Sequence, residues 1–316
     1  MKALTWHGKR DVRVDEVPSK SGDARVVLVT GASSGIGRAT AHALARRGER
    51  LVLVSRSADI LEQVRQECMS HGAADVLVRP TDVGDGAAMD QVFDRAVERF
   101  GRVDGVVHAA AVLAYGRFED VPSAVFDKTV RTNVTGTANV ARSALRVFKQ
   151  QGGGRLVVVG SVLGKMTSAF MSPYATSKWA VHGLVRTLQI EARKTPGISV
   201  SLVSPGGVNT PIYDQAGSYT GHVGQPPPPV EAPEKIADGI VRALDRPRRE
   251  ISMGLANPVM VLGFRSLPAV FDVLVTPLMR WAGQSRRRVA PNPGNVMEPK
   301  GDGAAVHGQW PRRLFN

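Results

Sequence analysis

Residues 25–38 read RVVLVTGASSGIGR. Arg25 to Thr30 form a short β-branched run that ends at a glycine, the mark of a buried strand. Gly31, Gly35 and Gly37 follow at Gly-x3-Gly-x-Gly spacing, and a helical pattern runs from Ile36 to Arg47, where Gly48 stops it. A glycine-rich turn between strand and helix is where backbone N–H groups and a helix N-terminus can face an anion. Gly31 permits the tight exit from the strand, Gly35 lets backbone approach a pyrophosphate, and Gly37 allows close helix packing. A glycine triplet alone also fits an ordinary tight turn, so the rest of the chain must decide.

Outward from this stretch, strands and helices alternate. Apolar strands are read at 51–54, 75–79, 103–107, 155–160 and 198–203, with helices at 58–70, 86–99, 123–150, 173–193 and 234–245. Strands apolar on both faces, separated by helices, predict an α/β fold: a doubly wound parallel sheet, the Rossmann fold, as a single domain with a C-terminal apolar extension. Residues 1–22 are set apart as an N-terminal extension, 23–253 as the catalytic domain and 254–283 as an apolar segment. Residues 284–316 form a polar, Gly/Pro-rich tail expected to be poorly ordered.

The chain has 316 residues, 43% hydrophobic, and one cysteine, Cys68, which excludes an internal disulfide and a cysteine zinc cluster. No secretory signal is read at the N-terminus, so a cytoplasmic setting, or the cytosolic face of a membrane, is expected. Net charge is +13. The basic residues are spread along the chain rather than gathered on a reader motif, so no nucleic-acid partner is expected. The charge reads first as a solvated basic surface; attraction to cofactor phosphates or to acidic lipid are the functional readings.

The second strand ends LVLVSR, placing Ser55 and Arg56 where an NAD site carries a carboxylate for the ribose hydroxyl. A guanidinium there suits a 2′-phosphate, so NADP(H) is expected to be preferred, with NAD(H) as the alternative.

SPYATSKWA holds the candidate chemistry. Tyr174 and Lys178 are four apart on a predicted helix and share a face. A phenol near pKa 10 is a poor base at neutral pH; an ammonium one turn away stabilises its phenolate. Ser161 ends the fifth strand, on the sheet edge where ligands bind, and its hydroxyl can orient a substrate oxygen. Asn133 sits within a helical run, where Asn is unfavourable, so it marks a local break or has a partner.

With TGASSGIG, Asp82 in TDV, Asn133, Ser161, Tyr174 with Lys178, and PGGVNT at 205–210, residues 25 to about 253 resemble a short-chain dehydrogenase/reductase. The resemblance implies hydride transfer between a secondary alcohol and a ketone. Tyr174 would be the acid/base, Ser161 would hold the carbonyl oxygen, Lys178 would lower the Tyr174 pKa and contact the nicotinamide ribose, and Asn133 would anchor a relay water. Around the cofactor it implies Gly31, Ser33, Ser34, Gly35, Ile36 and Gly37 at the loop, Ser55 and Arg56, then Asp82 and Val83 near the adenine. It adds His108, Ala109 and Ala110, the pair Tyr174 and Lys178, and Pro205, Gly206, Val208 and Thr210, with Val208 and Thr210 bracketing the carboxamide. One motif departs: His108-Ala109-Ala110-Ala111 stands where the family commonly has Asn-Asn-Ala-Gly. A His108 ring N–H can replace the first amide.

Residues 1–18 resemble the first strand and turn of a zinc-dependent medium-chain alcohol dehydrogenase, truncated and without its metal ligands downstream. They read as a surface hairpin or a disordered stretch, with His7 exposed, no metal site, and hydride transfer independent of residues 1–20. In the apolar C-terminal segment Arg265 and Asp272 interrupt any spanning run. Residues 254–288 are read as a lid, an oligomer contact or an interfacial element on an anionic membrane surface. Met166, Met171, Tyr213 and Tyr219 are expected to line an apolar substrate pocket, which makes the partner a small apolar alcohol or ketone. The resemblance also implies a homodimer or homotetramer through the helices around 120–150 and 172–195. A non-catalytic nucleotide-binding regulator of the same fold is the alternative function.

Overall fold

The computed structural model describes residues 24–310 and, before them, the backbone of two strands, Lys2–Gly8 and Asp11–Glu16. These pair as an antiparallel hairpin, Lys2 opposite Glu16. The side chain of His7 lies outside the described residues.

The core is one parallel sheet. Its strands are β1 (Val26–Thr30), β2 (Arg50–Ser55), β3 (Asp75–Pro80), β4 (Gly105–His108), β5 (Gly154–Val159), β6 (Ile198–Pro205) and β7 (Glu250–Met253). Across the sheet the order is β3-β2-β1-β4-β5-β6-β7. Strand order therefore reverses between β1 and β4, which opens a crevice at their carboxyl ends. Side chains alternate faces along β1. Val27 and Val29 face a layer containing Leu44, Leu61 and Ile240; Val26 and Leu28 face one containing Phe93, Phe148 and Val185. Burial on both faces is why these strands read as unbroken apolar runs.

The first layer comes from α1 (Gly35–Ala45), α2 (Ala58–Ser70) and α7 (Pro233–Asp245). The second comes from α3 (Gly86–Phe100), α4 (Ser123–Val130), α5 (Gly136–Gln151) and α6 (Ser172–Ala192). The expected single helix 123–150 is thus two, joined by a π-helical turn at Arg131–Thr135 that holds Asn133. Gly136 lets α5 settle on the loop after β3, since a Cβ there would lie 2.6 Å from the Val83 side chain. The seventh strand was missed because Glu250-Ile-Ser-Met is an edge strand with only Met253 buried, and it carries little apolar signal.

Beyond β7, α8 (Asn257–Ser266) and α9 (Pro268–Ala282) form a helical pair over the carboxyl edge of the sheet. Phe264 stacks near Trp179 of α6 and against Phe271, with centroids at 6.3 and 5.3 Å. Among the described residues no helix is long and apolar enough to cross a membrane.

The tail read as poorly ordered is packed instead, as far as it is described. Gln284–Arg288 pairs antiparallel with His222–Gly224, and Val296 is fully buried. The composition argument failed because it counts apolar side chains, whereas much of this tail's anchoring runs through its own backbone. The Asn295 carbonyl accepts from Arg56, the Ala304 carbonyl from Arg38, the Ala305 carbonyl from Gly35, and Gly308 N–H donates to Asn209.

Candidate active site

After Thr30 the chain turns through Gly31 (φ +68) and Gly35 (φ +53) into α1. A Cβ on Gly31 would lie 2.7 Å from the amide nitrogen of Ala110, and one on Gly37 would overlap the Gly31 carbonyl. Only glycine allows the loop to close between β4 and α1. Ser34, just before α1, is extended and its side chain makes no cap, so the first N–H groups of the helix are left for an outside acceptor. Gly35 N–H already donates to one, the Ala305 carbonyl, at 2.9 Å. This cradle fits the pyrophosphate of a dinucleotide: it is stripped of Cβ atoms and presents donors. The buried Thr132 hydroxyl on the same cavity wall has no partner among the described residues, a further place for a polar ligand.

At the end of β2, Arg56 reaches the tail. Its guanidinium donates to the carbonyls of Asn295 at 2.6 Å, Val296 at 3.3 Å and Met297 at 3.4 Å. Across from it, Asp82 accepts from Lys128 and from Gly84 N–H, both at 2.8 Å. Burial works against its charge, but these donors hold the carboxyl below the usual carboxylate range.

His108 lies behind the cavity wall. Its Nδ1 is 2.8 Å from the Thr30 hydroxyl and its Nε2 is 3.0 Å from the Thr137 hydroxyl. Thr137 spends its proton on the Asn133 carbonyl at 2.6 Å, so it must accept from Nε2–H. Thr30 then donates to Nδ1 and accepts from Ala110 N–H at 3.4 Å. Burial drives the imidazole pKa down to about 3, which keeps this single neutral tautomer. His108 thus braces β1, β4 and α5 where the family carries its first amide, and it is a brace rather than a wall residue.

Ser161 follows β5 with extended backbone, and its Oγ accepts from Leu163 N–H at 3.1 Å. The same side chain lies beside the phenol of Tyr174, in the first turn of α6. Burial pushes Tyr174 up to about 12, and Ser161 opposes that. Lys178 lies fully buried one turn further, with Nζ 3.0 Å from the Val159 carbonyl and 5.5 Å from the Tyr174 ring centroid. Desolvation lowers its pKa to about 8. The sequence expectation that Lys178 depresses the Tyr174 pKa is not met by these residues alone, because desolvation of the phenol dominates. Asn133 is buried in the π turn, accepting from Val112 N–H at 2.9 Å and donating to the Val112 carbonyl at 3.0 Å and the Ser177 hydroxyl at 2.9 Å. Both readings of this residue hold: the helix breaks there, and the amide has partners.

These parts share one cavity of about 490 Å³. Of the expected residues, the loop from Gly31 to Gly37, Ser55, Arg56, Asp82, Val83, Ala109, Ala110, Ser161, Tyr174 and Lys178 line it, as do Pro205, Gly206, Val208 and Thr210. His108 and Asn133 stand behind it. Met166, Met171 and Tyr213 form part of an apolar wall as expected; Tyr219 does not, packing instead with Val112, Val121 and Val296. Of the readings given to residues 254–288, the lid is the one that Met260, Phe271 and Val275 of α8 and α9 match, since they face the cavity; sequence reasoning missed the tail, where Asn295, Lys300 and Ala304 do so as well. It also missed His182, whose Nε2 is 3.4 Å from Ser161 N and whose ring a Cβ on Gly160 or Gly164 would strike. The two glycines facing α6 were the available signal.

The sequence model of the short chain dehydrogenase family matches residues 25–219. Over 285 residues the chain is 30% identical to the uncharacterized oxidoreductase YxnA of Bacillus subtilis, covering 88% of this chain and 79% of that one. An alcohol dehydrogenase from Thermococcus sibiricus, solved in complex with 5-hydroxy-NADP, superposes with TM-score 0.64 at 30% identity, covering 73% of this chain and 96% of that chain. A short chain dehydrogenase from Mycobacterium paratuberculosis bound to NAD superposes with TM-score 0.64 at 27% identity, over 72% and 96%.

Proposed function

This chain belongs to the short chain dehydrogenase family and is an NAD(P)-dependent oxidoreductase, and we propose that it reduces an apolar ketone to a secondary alcohol with NADPH, Tyr174 giving the proton. The observation that carries this reading is the buried Tyr174 phenol beside Ser161, in a cavity lined both by the glycine cradle and by a wall of Met166, Met171, Ile212, Met260 and Phe271. When bound, the nicotinamide supplies the hydride.

The residues divide the remaining work. Ser161 donates to the ketone oxygen and holds it beside the phenol. Tyr174 gives its proton to that oxygen in reduction and takes it back in the reverse direction. Lys178, still charged below about pH 8, steadies the phenolate left behind. Asn133 anchors α6 through Ser177 and, by resemblance, a water from which the phenol is reprotonated. The apolar wall excludes bulk water and carries no cation of its own for a carboxylate substrate; Lys178 is turned to the Val159 carbonyl, and Arg56 donates to tail carbonyls. Arg56 supports NADP(H) over NAD(H), because a guanidinium and no carboxylate follows β2. Exposed Ile190 on α6 and Phe118 just before α4 support assembly of two or four copies through these helices.

The test is NADPH oxidation with a panel of medium and long aliphatic or cyclic ketones, comparing wild type with Tyr174→Phe. The variant should bind NADPH normally and lose turnover by roughly 100-fold or more. Equal rates in the two proteins would sink the proposal.

A further inference from the structure

The outer face of α8 and α9 is unusual for a water-facing surface. Leu262, Val273 and Trp281 are 64%, 73% and 76% exposed. They are not isolated. Val259, Leu267, Val270, Leu274 and Leu278 are also exposed, and these five at the same time line the cavity that holds Tyr174. The mouth of the active site is therefore rimmed by bare hydrocarbon, continuous with the patch outside it. Contiguous apolar surface of this kind marks a contact site.

The surrounding charge is one-sided. Residues 254–288 contain five arginines and a single carboxylate, Asp272. Arg265, Arg286 and Arg288 are exposed and form no ion pair among the described residues. Arg280 lies over the Phe170 ring at 5.8 Å, and only Arg287 has an acidic partner, Asp214 at 3.2 Å. Apolar side chains with a fringe of unpaired guanidinium groups, and a Trp among them, match the boundary of an anionic bilayer, where hydrocarbon lies beneath a negative surface. Neither helix can span it: α9 has 15 residues, about 22 Å long, against a hydrocarbon core of about 30 Å.

We propose that the α8–α9 pair lies in the headgroup–acyl boundary of an anionic membrane, and that the apolar substrate enters the active site directly from the lipid through the rim formed by Val259, Leu267, Val270, Leu274 and Leu278. A second copy of the chain packed on this face would cork that opening; fluid lipid covers it and still delivers a hydrocarbon-rich ketone. The proposal deepens the reading above and rests on it for the chemical class of the substrate, while membrane binding itself does not depend on turnover.

The full-length protein should float with vesicles of equimolar phosphatidylcholine and phosphatidylglycerol, less so at high salt, and weakly with phosphatidylcholine alone. The variant L262S/V273S/W281S alters three exposed residues outside the cavity wall. Its vesicle-bound fraction should fall by about tenfold or more. Its NADPH oxidation with a short, water-soluble ketone should match wild type, while its rate on a long-chain ketone supplied in the vesicles should fall with binding. Wild type that stays off anionic vesicles, or a variant that binds them equally well, overturns the proposal. So does a variant whose only change is conversion from dimer to monomer in gel filtration, which would assign the face to a second copy. Vesicle binding with unchanged long-chain turnover overturns the entry route. If neither protein reduces any ketone yet wild type alone binds vesicles, the reaction assigned above has failed and the surface assignment stands.

Discussion

The Lys178 ammonium donates to the Val159 carbonyl at 3.0 Å, so the same bond that pins α6 to the end of β5 fixes where the cation proposed to serve Tyr174 stands. Among the described residues no carboxylate neutralises it, and burial lowers its pKa to about 8. Below that pH the amine is charged and stabilises the phenolate formed as Tyr174 releases its proton; above it the charge is lost while Tyr174, near 12, is still protonated. Reductive kcat/KM should therefore be level up to about pH 8 and then fall by about tenfold per pH unit. A pH–rate profile that stays flat to about pH 10 would remove Lys178 from this role.

Arg56 is the one basic side chain at the end of β2, and replacing it tests the cofactor reading. Arg56→Gln should weaken NADPH binding by roughly 10-fold or more, the value of a charge-assisted contact, and leave NADH almost unchanged. Paired fluorescence titrations with the two cofactors measure this. Equal losses for both would place Arg56 in a structural role only.

The tail presents carbonyl oxygens to two donors that a dinucleotide would use, Arg56 and Gly35 N–H. Removing residues 290–316 frees both donors while leaving the Gln284–Arg288 strand in place. NADPH should then bind several-fold more tightly, with a faster association rate, because no internal acceptor has to be displaced. Weaker binding by the truncated chain would mean that the tail holds the cofactor instead of competing with it. The melting temperature should drop, since Val296 is buried against Val112 and Val121.

His108 couples stability to acid. Its folded pKa, about 3, lies below the unfolded value near 6.5, so between these the unfolded chain binds the extra proton. Stability is then complete above about pH 6.5 and is lost as pH falls toward 3, on the order of 5 kcal/mol in all. His182, lowered to about 4 by burial, adds in the same direction. His108→Asn keeps a side-chain donor and acceptor without a titrating group. Denaturation midpoints from pH 4 to 7 should fall less steeply for this variant than for wild type, by about half.

Local chemistry made most of the scaffold legible. Glycine at 31, 35 and 37, β-branched runs buried on both faces, and a Tyr and Lys one turn apart are short-range facts, and each constrains the backbone or the helix face within a few residues. The cradle, the parallel sheet and the Ser161–Tyr174–Lys178 cluster follow from them. What only the tertiary structure decided depends on contacts between distant segments. The π turn at Asn133 answers to Val112 and Ser177, and the neutral His108 to Thr30 and Thr137. The edge strand Glu250–Met253 forms because β6 is there to receive it. The tail meets Arg56 through backbone carbonyls, which every residue carries alike, so no side-chain pattern could announce that it lies there. The bare rim of α8 and α9 was visible as composition, but which of its apolar residues face inward and which face out is set by how the two helices lean on α6 and the cavity.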